Sequence, residues 1–210
     1  GDHGSKLFSA NYDAGTVTWI NKKTGERISE IKIGGDLRRI AIGQNNTIAV
    51  TDYTGGRLVL INWRTAEVIK SFDLGPRPFG VVYDRNNNVF WVTLFEAHQL
   101  VAVHPEKGIV HKVKTRDTPR GLALLSDNRL IITHSLIGEV SIYDTQTVPP
   151  VHLTTIKLHQ SQEQNEFISQ GVPRVLDDIA VSPNETEAWL PHLLWNFDHL
   201  FQFQYERRHG

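Results

Sequence analysis

A unit of about forty residues recurs along this 210-residue chain and limits what it can fold into. Its copies begin at Leu7, Ile48, Phe90, Leu130 and, after a wider gap, Ala188. Each unit carries short runs in which apolar and polar residues alternate, and turn residues separate the runs. A repeat of this length is one supersecondary element used several times, so the sequence predicts an all-β protein built from four-stranded antiparallel units.

The second unit shows the pattern most clearly. Residues 47–51, 57–62 and 67–72 are predicted strands, and residues 79–83 are the predicted first strand of the next unit. The run at 67–72 is the most polar on alternate positions, which is typical of an outer edge strand. In the last unit Pro191 interrupts the corresponding run, so we expect that strand to end or bulge there.

The residues themselves resemble a known repeat. Val50-Thr51-Asp52 followed by the segment 55–62 resembles the YVTN-type β-propeller repeat of YncE-like proteins, and the segments 9–11 and 15–21 are similar to it. The resemblance implies a β-propeller of four-stranded blades, with about seven blades in the complete ring. It also implies an exported bacterial or archaeal protein, periplasmic or at the cell surface.

The number of units present falls short of such a ring. We predict one domain over 1–210, with about four and a half to five blades at 6–46, 47–87, 88–128 and 129–186 and a partial one at 187–210. The chain is expected to enter at a second strand and to leave near a third. Because an open ring exposes a strand edge, we expect the remainder of the propeller or another chain to close it. A closed five-bladed ring is the alternative.

Composition excludes several partners and cofactors. The formal net charge is -1, so no bulk positive field favours nucleic acid, and no apolar run is long enough to span a membrane. The absence of cysteine excludes disulfides and covalently attached c-type haem within these residues, and the absence of methionine removes the thioether ligand of many copper sites. Any haem would therefore be carried by another domain or chain, as in the cytochrome-fused propellers that the segment 191–199 resembles.

One mouth of the central channel is the predicted functional surface, because loops at one end of a rigid scaffold usually carry function. The ends of the second strands should contribute a ring of five side chains: Asn11, Asp52, Leu94, His134 and His192. The starts of the first strands should contribute Arg38 and Arg39, Pro78 and Phe79, Pro119 and Arg120, and Arg174 with Asp177 and Asp178. An insertion at 159–171 extends a loop on this face; it is a functional loop or a tolerated surface insertion. Within it, residues 160–168 are the one weak helix candidate.

Three histidines are candidate metal ligands. His134 and His192 occupy equivalent positions in successive units, and His199 follows on the next loop. Neutral imidazole binds copper, zinc and other divalent metals, so these residues could form a centre at the mouth. The alternative is that they hydrogen-bond the backbone of their loops.

The row Arg39, Arg120 and Arg174 resembles an anion clamp, because guanidinium is the natural bidentate partner of carboxylate and phosphate. The alternative is that these arginines pair with neighbouring acids, for which Asp52, Asp177 and Asp178 are available. Trp195 belongs to an aromatic-rich C-terminal stretch that we expect to serve as core or as a contact surface.

These features favour a non-catalytic binding or scaffold propeller that presents its mouth to a protein partner or ligand. One rival is a metal-dependent redox protein using His134 and His192. A second rival is a lactonase-type hydrolase with a divalent cation on Asn11, Asp52 and Asp178. Fold alone does not choose among them, because propellers carry unrelated functions.

Overall fold

The computed structural model describes residues 3–159 and 171–194. A short 3-10 turn, His3–Ser5, precedes nineteen strands, of which the first fifteen form four sheets. Sheet I holds β1 (Lys6–Asn11), β2 (Thr16–Asn21) and β3 (Arg27–Lys32). Sheet II holds β4 (Leu37–Ile42), β5 (Thr47–Asp52), β6 (Arg57–Asn62) and β7 (Glu67–Asp73).

The next two sheets repeat sheet II. Sheet III holds β8 (Pro78–Asp84), β9 (Val89–Leu94), β10 (Gln99–His104) and β11 (Gly108–Lys114). Sheet IV holds β12 (Pro119–Leu124), β13 (Arg129–His134), β14 (Glu139–Asp144) and β15 (Val151–Lys157). Within sheets I to IV the strands pair antiparallel in chain order, so the predicted four-stranded units are confirmed.

The sheets and the sequence repeat have the same period but different starting points. The unit taken from sequence as 47–87 draws its last strand, β8, from the sheet that follows, whereas the hydrogen-bonded sheet runs from Leu37 to Asp73. Sheet I begins at the equivalent of a second strand and has three strands among the described residues, which agrees with the expected point of entry.

The fifth unit is a hairpin interrupted in its middle. Four two-residue strands, β16 (Pro173–Arg174), β17 (Ala180–Val181), β18 (Ala188–Trp189) and β19 (Leu193–Leu194), pair as β16 with β19 and β17 with β18. The interruption lies at Pro191, as expected, because proline offers no N–H to the ladder. Residues 160–170 of the insertion, with the helix candidate at 160–168, and the stretch from Trp195 onward, with His199, lie outside the described residues.

The core lies between neighbouring sheets rather than within one. Trp19 and Ile48 pack between sheets I and II, Leu58 and Phe90 between sheets II and III, and Trp91 among the residues joining sheets III and IV. The second strands of sheets II to IV are buried almost throughout, whereas β7 and β15 are largely exposed. Among the first strands, β8 contacts both β4 and β12. No helix in the described ranges is long and apolar enough to cross a membrane.

Candidate functional site

A buried threonine near the end of the second strand in sheets II, III and IV sets the register of the mouth. Thr51 Oγ1 donates to the carbonyl of Phe79, Thr93 Oγ1 to that of Arg120, and Thr133 Oγ1 to that of Leu176, at 2.7, 2.8 and 2.7 Å. Each hydroxyl therefore joins one sheet to the first strand of the next. The three acceptors occupy equivalent positions in successive units.

The same hydroxyls accept backbone N–H groups from their own sheets. The donors are the N–H groups of Arg39, Gly80 and Gly121. Gly80 follows Phe79 and Gly121 follows Arg120, so Arg39 follows the equivalent position in its own unit. Arg38, rather than Arg39, is thus the structural counterpart of Arg120. Arg39 and Arg120 therefore differ by one position in the repeat, and such an offset changes the face of the sheet because strand residues alternate between faces.

Phe79 lies at the centre of a group of guanidinium groups. Its side chain is buried, and the guanidinium carbons of Arg120, Arg39 and Arg38 lie 4.2, 5.1 and 5.9 Å from its ring centroid. Cations over an aromatic face at such distances are attracted to it. The aromatic ring therefore holds three positive charges close together at the mouth.

More aromatic rings surround these arginines. Tyr12, Tyr53 and Phe95 each follow directly after a second strand and so occupy equivalent positions. The guanidinium of Arg38 lies 4.3 Å from the Tyr12 ring and 4.8 Å from the Tyr53 ring, and that of Arg120 lies 5.6 Å from Phe95. Arginine and aromatic side chains consequently alternate around this side of the mouth, which we call the arginine–aromatic mouth (Tyr12, Arg38, Arg39, Tyr53, Phe79, Phe95, Arg120).

Two acids of the fifth unit reach the same arginines. Arg120 Nη1 lies 2.8 Å from Asp177 Oδ1, and Arg39 Nη2 donates to the Asp177 carbonyl at 3.1 Å and to Asp178 Oδ2 at 3.3 Å. Ser135 Oγ also donates to Asp177 Oδ1, at 3.3 Å. Arginine–aspartate pairing, one of the two interpretations of this row, is thus what the geometry shows for these residues.

Positive charge is crowded at Arg120. Burial lowers the pKa of its guanidinium; Asp177 opposes this shift, and the nearby cations Arg38 and Arg39 add to it. Arg38 in turn pairs with Asp36 at 2.6 Å. The Nε atoms of Arg38 and Arg120 are buried and have no hydrogen-bond partner among the described residues. The cluster therefore has donor capacity that its own acids do not use.

The strand-end side chains predicted to ring the mouth point elsewhere. Asp52 is 1% exposed and accepts from Gly55 N, Asp36 N and Arg57 Nε at 2.9, 3.2 and 2.8 Å. Leu94 is buried, and Asn11 donates to Thr16 and Thr18 within sheet I. These three side chains are thus buried or already hydrogen-bonded, and the rings that contact the arginines belong to the residues directly after the strands, Tyr12, Tyr53 and Phe95.

His134 is fully buried with both ring nitrogens engaged. Nδ1 lies 3.0 Å from the Asp117 carbonyl and Nε2 lies 2.8 Å from Ser141 Oγ. Since a carbonyl only accepts, Nδ1 carries the proton and Nε2 accepts from the serine. Burial lowers the pKa of the imidazole, which keeps it neutral. The hydrogen-bonded alternative for this histidine is therefore the one observed.

His192 is the other metal candidate among the described residues, and it does not lie at a metal centre. His192 is exposed, and its Nδ1 lies 3.0 Å from the Leu190 carbonyl. Within the described ranges no group of three or more histidine, cysteine and acidic side chains is placed to hold a metal ion. The cation site suggested for Asn11, Asp52 and Asp178 would use side chains already committed to the bonds described above.

Arg174 lies apart from the mouth cluster: its Nη1 donates to the Leu136 carbonyl at 3.0 Å, and its strand pairs with Leu193. Arg38 and Phe79 belong to the residues expected at the mouth, whereas sequence reasoning missed the aromatic positions directly after the second strands. A signal for the latter was present, since an aromatic residue recurs at the same offset in three successive units.

Comparison with known proteins establishes the fold. No protein-family model matches the chain, and no curated protein sequence matches it. Solved structures do match. A chain of hydrazine synthase from Kuenenia stuttgartiensis aligns with a TM-score of 0.77 at 16% identity, over 90% of this chain and 53% of that one.

Two further structures agree. Virginiamycin B lyase from Staphylococcus aureus aligns with a TM-score of 0.70 at 16% identity, over 90% of this chain and 60% of its own. A protein of unknown function from Desulfotomaculum acetoxidans aligns with a TM-score of 0.72 at 9% identity, over 89% and 59%. The chain therefore has a β-propeller fold and spans between half and two thirds of the length of these structures. At such identities the similarity concerns the fold alone.

Proposed function

We propose that this propeller is a non-catalytic binding module and that its arginine–aromatic mouth receives an anionic group of a partner protein or ligand. The supporting observation is the set of three guanidinium groups around Phe79. Side chains held in place by aromatic rings have lost conformational freedom before binding, which lowers the entropic cost of holding a ligand.

The acids of the fifth unit suggest how an anion would bind. Asp177 and Asp178 already lie on Arg120 and Arg39, where a carboxylate of a partner would sit. The Arg39–Asp178 pair is long and solvent-exposed, and exposed pairs contribute little. An incoming carboxylate can replace Asp178 at small cost, and bidentate binding to guanidinium would favour the exchange.

A fluorescein-labelled hexaglutamate peptide provides a direct test by fluorescence anisotropy. We expect binding to weaken about tenfold or more in R39Q/R120Q, on the scale of lost charge-assisted hydrogen bonds. D178N should bind more tightly than wild type, because it frees Arg39. The matched control is R64Q, since Arg64 lies in a turn between third and fourth strands, at the opposite end of its sheet. Equal weakening of peptide binding by R64Q and R39Q/R120Q would mean that only overall charge matters and would refute binding at the arginine–aromatic mouth.

The wider setting is part of the same proposal. Because the chain covers 53–60% of the structures it matches, we propose that further blades, on the same polypeptide or another chain, complete a ring of about seven. Denatured and native mass spectrometry of the source protein distinguishes the two arrangements. Export to the periplasm or cell surface, implied by the YVTN-type resemblance, is tested by fractionating the source cells.

A further inference from the structure

A groove of about 690 Å³ lies between sheets III and IV, on the flank of the propeller. One wall is the end of β11 and the residues that follow it, 113–116, and the other is formed by β14 and β15. The volume falls within the usual range for small-molecule sites. Both walls belong to complete four-stranded sheets, so the groove does not depend on further blades.

Positive charge exceeds negative charge along this groove. Lys114, Arg116 and Lys157 line it together with one carboxylate, Glu139. Arg116 binds Glu139 through two hydrogen bonds, of 2.8 and 3.1 Å, and that contact lowers the pKa of the glutamate. The two lysines form no ion pair with a carboxylate in the described part of the chain. Lys157 stands opposite Glu139 in the pairing of β14 with β15 and also lowers the pKa of that glutamate, but the hydrogen bonds to it come from Arg116. The lining thus carries an excess of two positive charges.

The floor of the groove is mostly apolar. Tyr143 is 3% exposed, and its ring meets that of His152 edge-on, with centroids 5.1 Å apart. Pro150 is buried beside them. Such a floor suits the apolar body of a small molecule packed against the exposed His152 ring, and the lysines at the rim suit a charged group attached to it.

A chain of hydrogen bonds fixes the wall behind this floor. His134 donates to the Asp117 carbonyl and accepts from Ser141, so the Ser141 oxygen must accept from Thr155, at 3.1 Å. The Thr155 oxygen then accepts from His152 Nε2, at 2.9 Å. This leaves Nδ1 of His152 without a partner among the described residues, in a ring that lines the groove.

We propose that this groove binds the phosphate monoester of a small organic molecule, with the phosphate on Lys114 and Lys157 and the organic body over Tyr143 and His152. A phosphate monoester carries a charge of about −1.5 to −2 at neutral pH, which matches the excess charge of the lining. A monocarboxylate would neutralise about half of it. The site is separate from the arginine–aromatic mouth and is independent of the function proposed there.

Isothermal titration calorimetry with phenyl phosphate tests the proposal. We expect K114Q and K157Q each to raise Kd about tenfold, on the scale of one lost charge-assisted hydrogen bond. Both lysines are exposed, so the fold should be retained, and thermal unfolding of each variant checks this. The matched control is K107Q, which removes an exposed lysine just before the opposite end of β11 and should leave Kd unchanged.

Further probes decide the ligand class. Phenylacetate should bind at least about tenfold more weakly than phenyl phosphate, because it carries one charge. Inorganic phosphate should also be weaker, since it lacks a body to cover the floor; equal affinity would overturn the assignment to an organic ester. Absence of heat with phenyl phosphate at about 10 mM, or an equal effect of K107Q and K157Q, would overturn the site itself.

Discussion

Thr93 joins sheet III to sheet IV: its buried hydroxyl donates to the carbonyl of Arg120 at 2.8 Å and accepts the N–H of Gly80 at the same distance. Because the bond crosses between sheets, it fixes where Arg120 enters the mouth. The arrangement recurs at Thr51 and Thr133. Ala10 and Pro191 stand at the equivalent positions of the first and fifth units, which therefore lack this hydroxyl.

Replacing Thr93 with valine tests this link. T93V keeps the shape of the side chain but leaves a buried N–H and a buried carbonyl without the hydroxyl, at a cost of about 1–3 kcal/mol for each unpaired group. T93S retains the hydroxyl and should cost less. Urea unfolding monitored by tryptophan fluorescence measures both, and equal stability of T93V and wild type would contradict the link.

The close approach of the first strands predicts a severe effect of G80A. A Cβ at Gly80 would overlap the Arg120 carbonyl oxygen and crowd Thr93 Oγ1, and the carbonyl belongs to backbone that cannot simply rotate away. We expect a loss of stability of about 2–3 kcal/mol or more, as for overpacked cores. G4A is the matched control, because a Cβ there meets nothing within 4 Å and should leave the unfolding midpoint unchanged.

The sequence was sufficient for the strands but not for the mouth. Alternation and turn residues identify β5, β6 and β7, because these signals are local. The identity of the mouth residues depends on register. Arg38 and Arg39 are adjacent, and the bond from the Arg39 N–H to Thr51 Oγ1 shows that Arg38 corresponds to Arg120. Likewise, the buried His134 is hydrogen-bonded to Asp117 and Ser141, which lie close to it only because of strand pairing and the path of a loop.

The buried imidazole of His134 predicts a specific pH dependence. Its pKa is lowered in the folded state, so the unfolded chain binds the proton more readily. The stability it confers is complete above the unfolded pKa of about 6.5 and is lost as pH falls from there towards the lower folded value. We expect H134N to be less stable than wild type at pH 8, and the difference to shrink as pH falls.

Urea unfolding of both proteins between pH 8 and pH 5 measures this difference. Glu139 contributes in a lower range, because Arg116 lowers its pKa and its stabilisation is lost only as pH falls towards that depressed value. A difference between H134N and wild type that stays constant from pH 8 to pH 5 would contradict a neutral, buried His134.

Metal binding separates the histidine-based alternatives from the binding proposal. Because both nitrogens of His134 are engaged in the interior, H134N should bind Cu²⁺ and Zn²⁺ as wild type does. His192 is exposed, so H192N is the variant that would remove any weak metal binding at the surface. Isothermal titration with each ion measures the stoichiometry. A site occupied one-to-one in wild type and lost in H134N would show that His134 leaves Ser141 to bind metal, and it would restore the metal-dependent candidate.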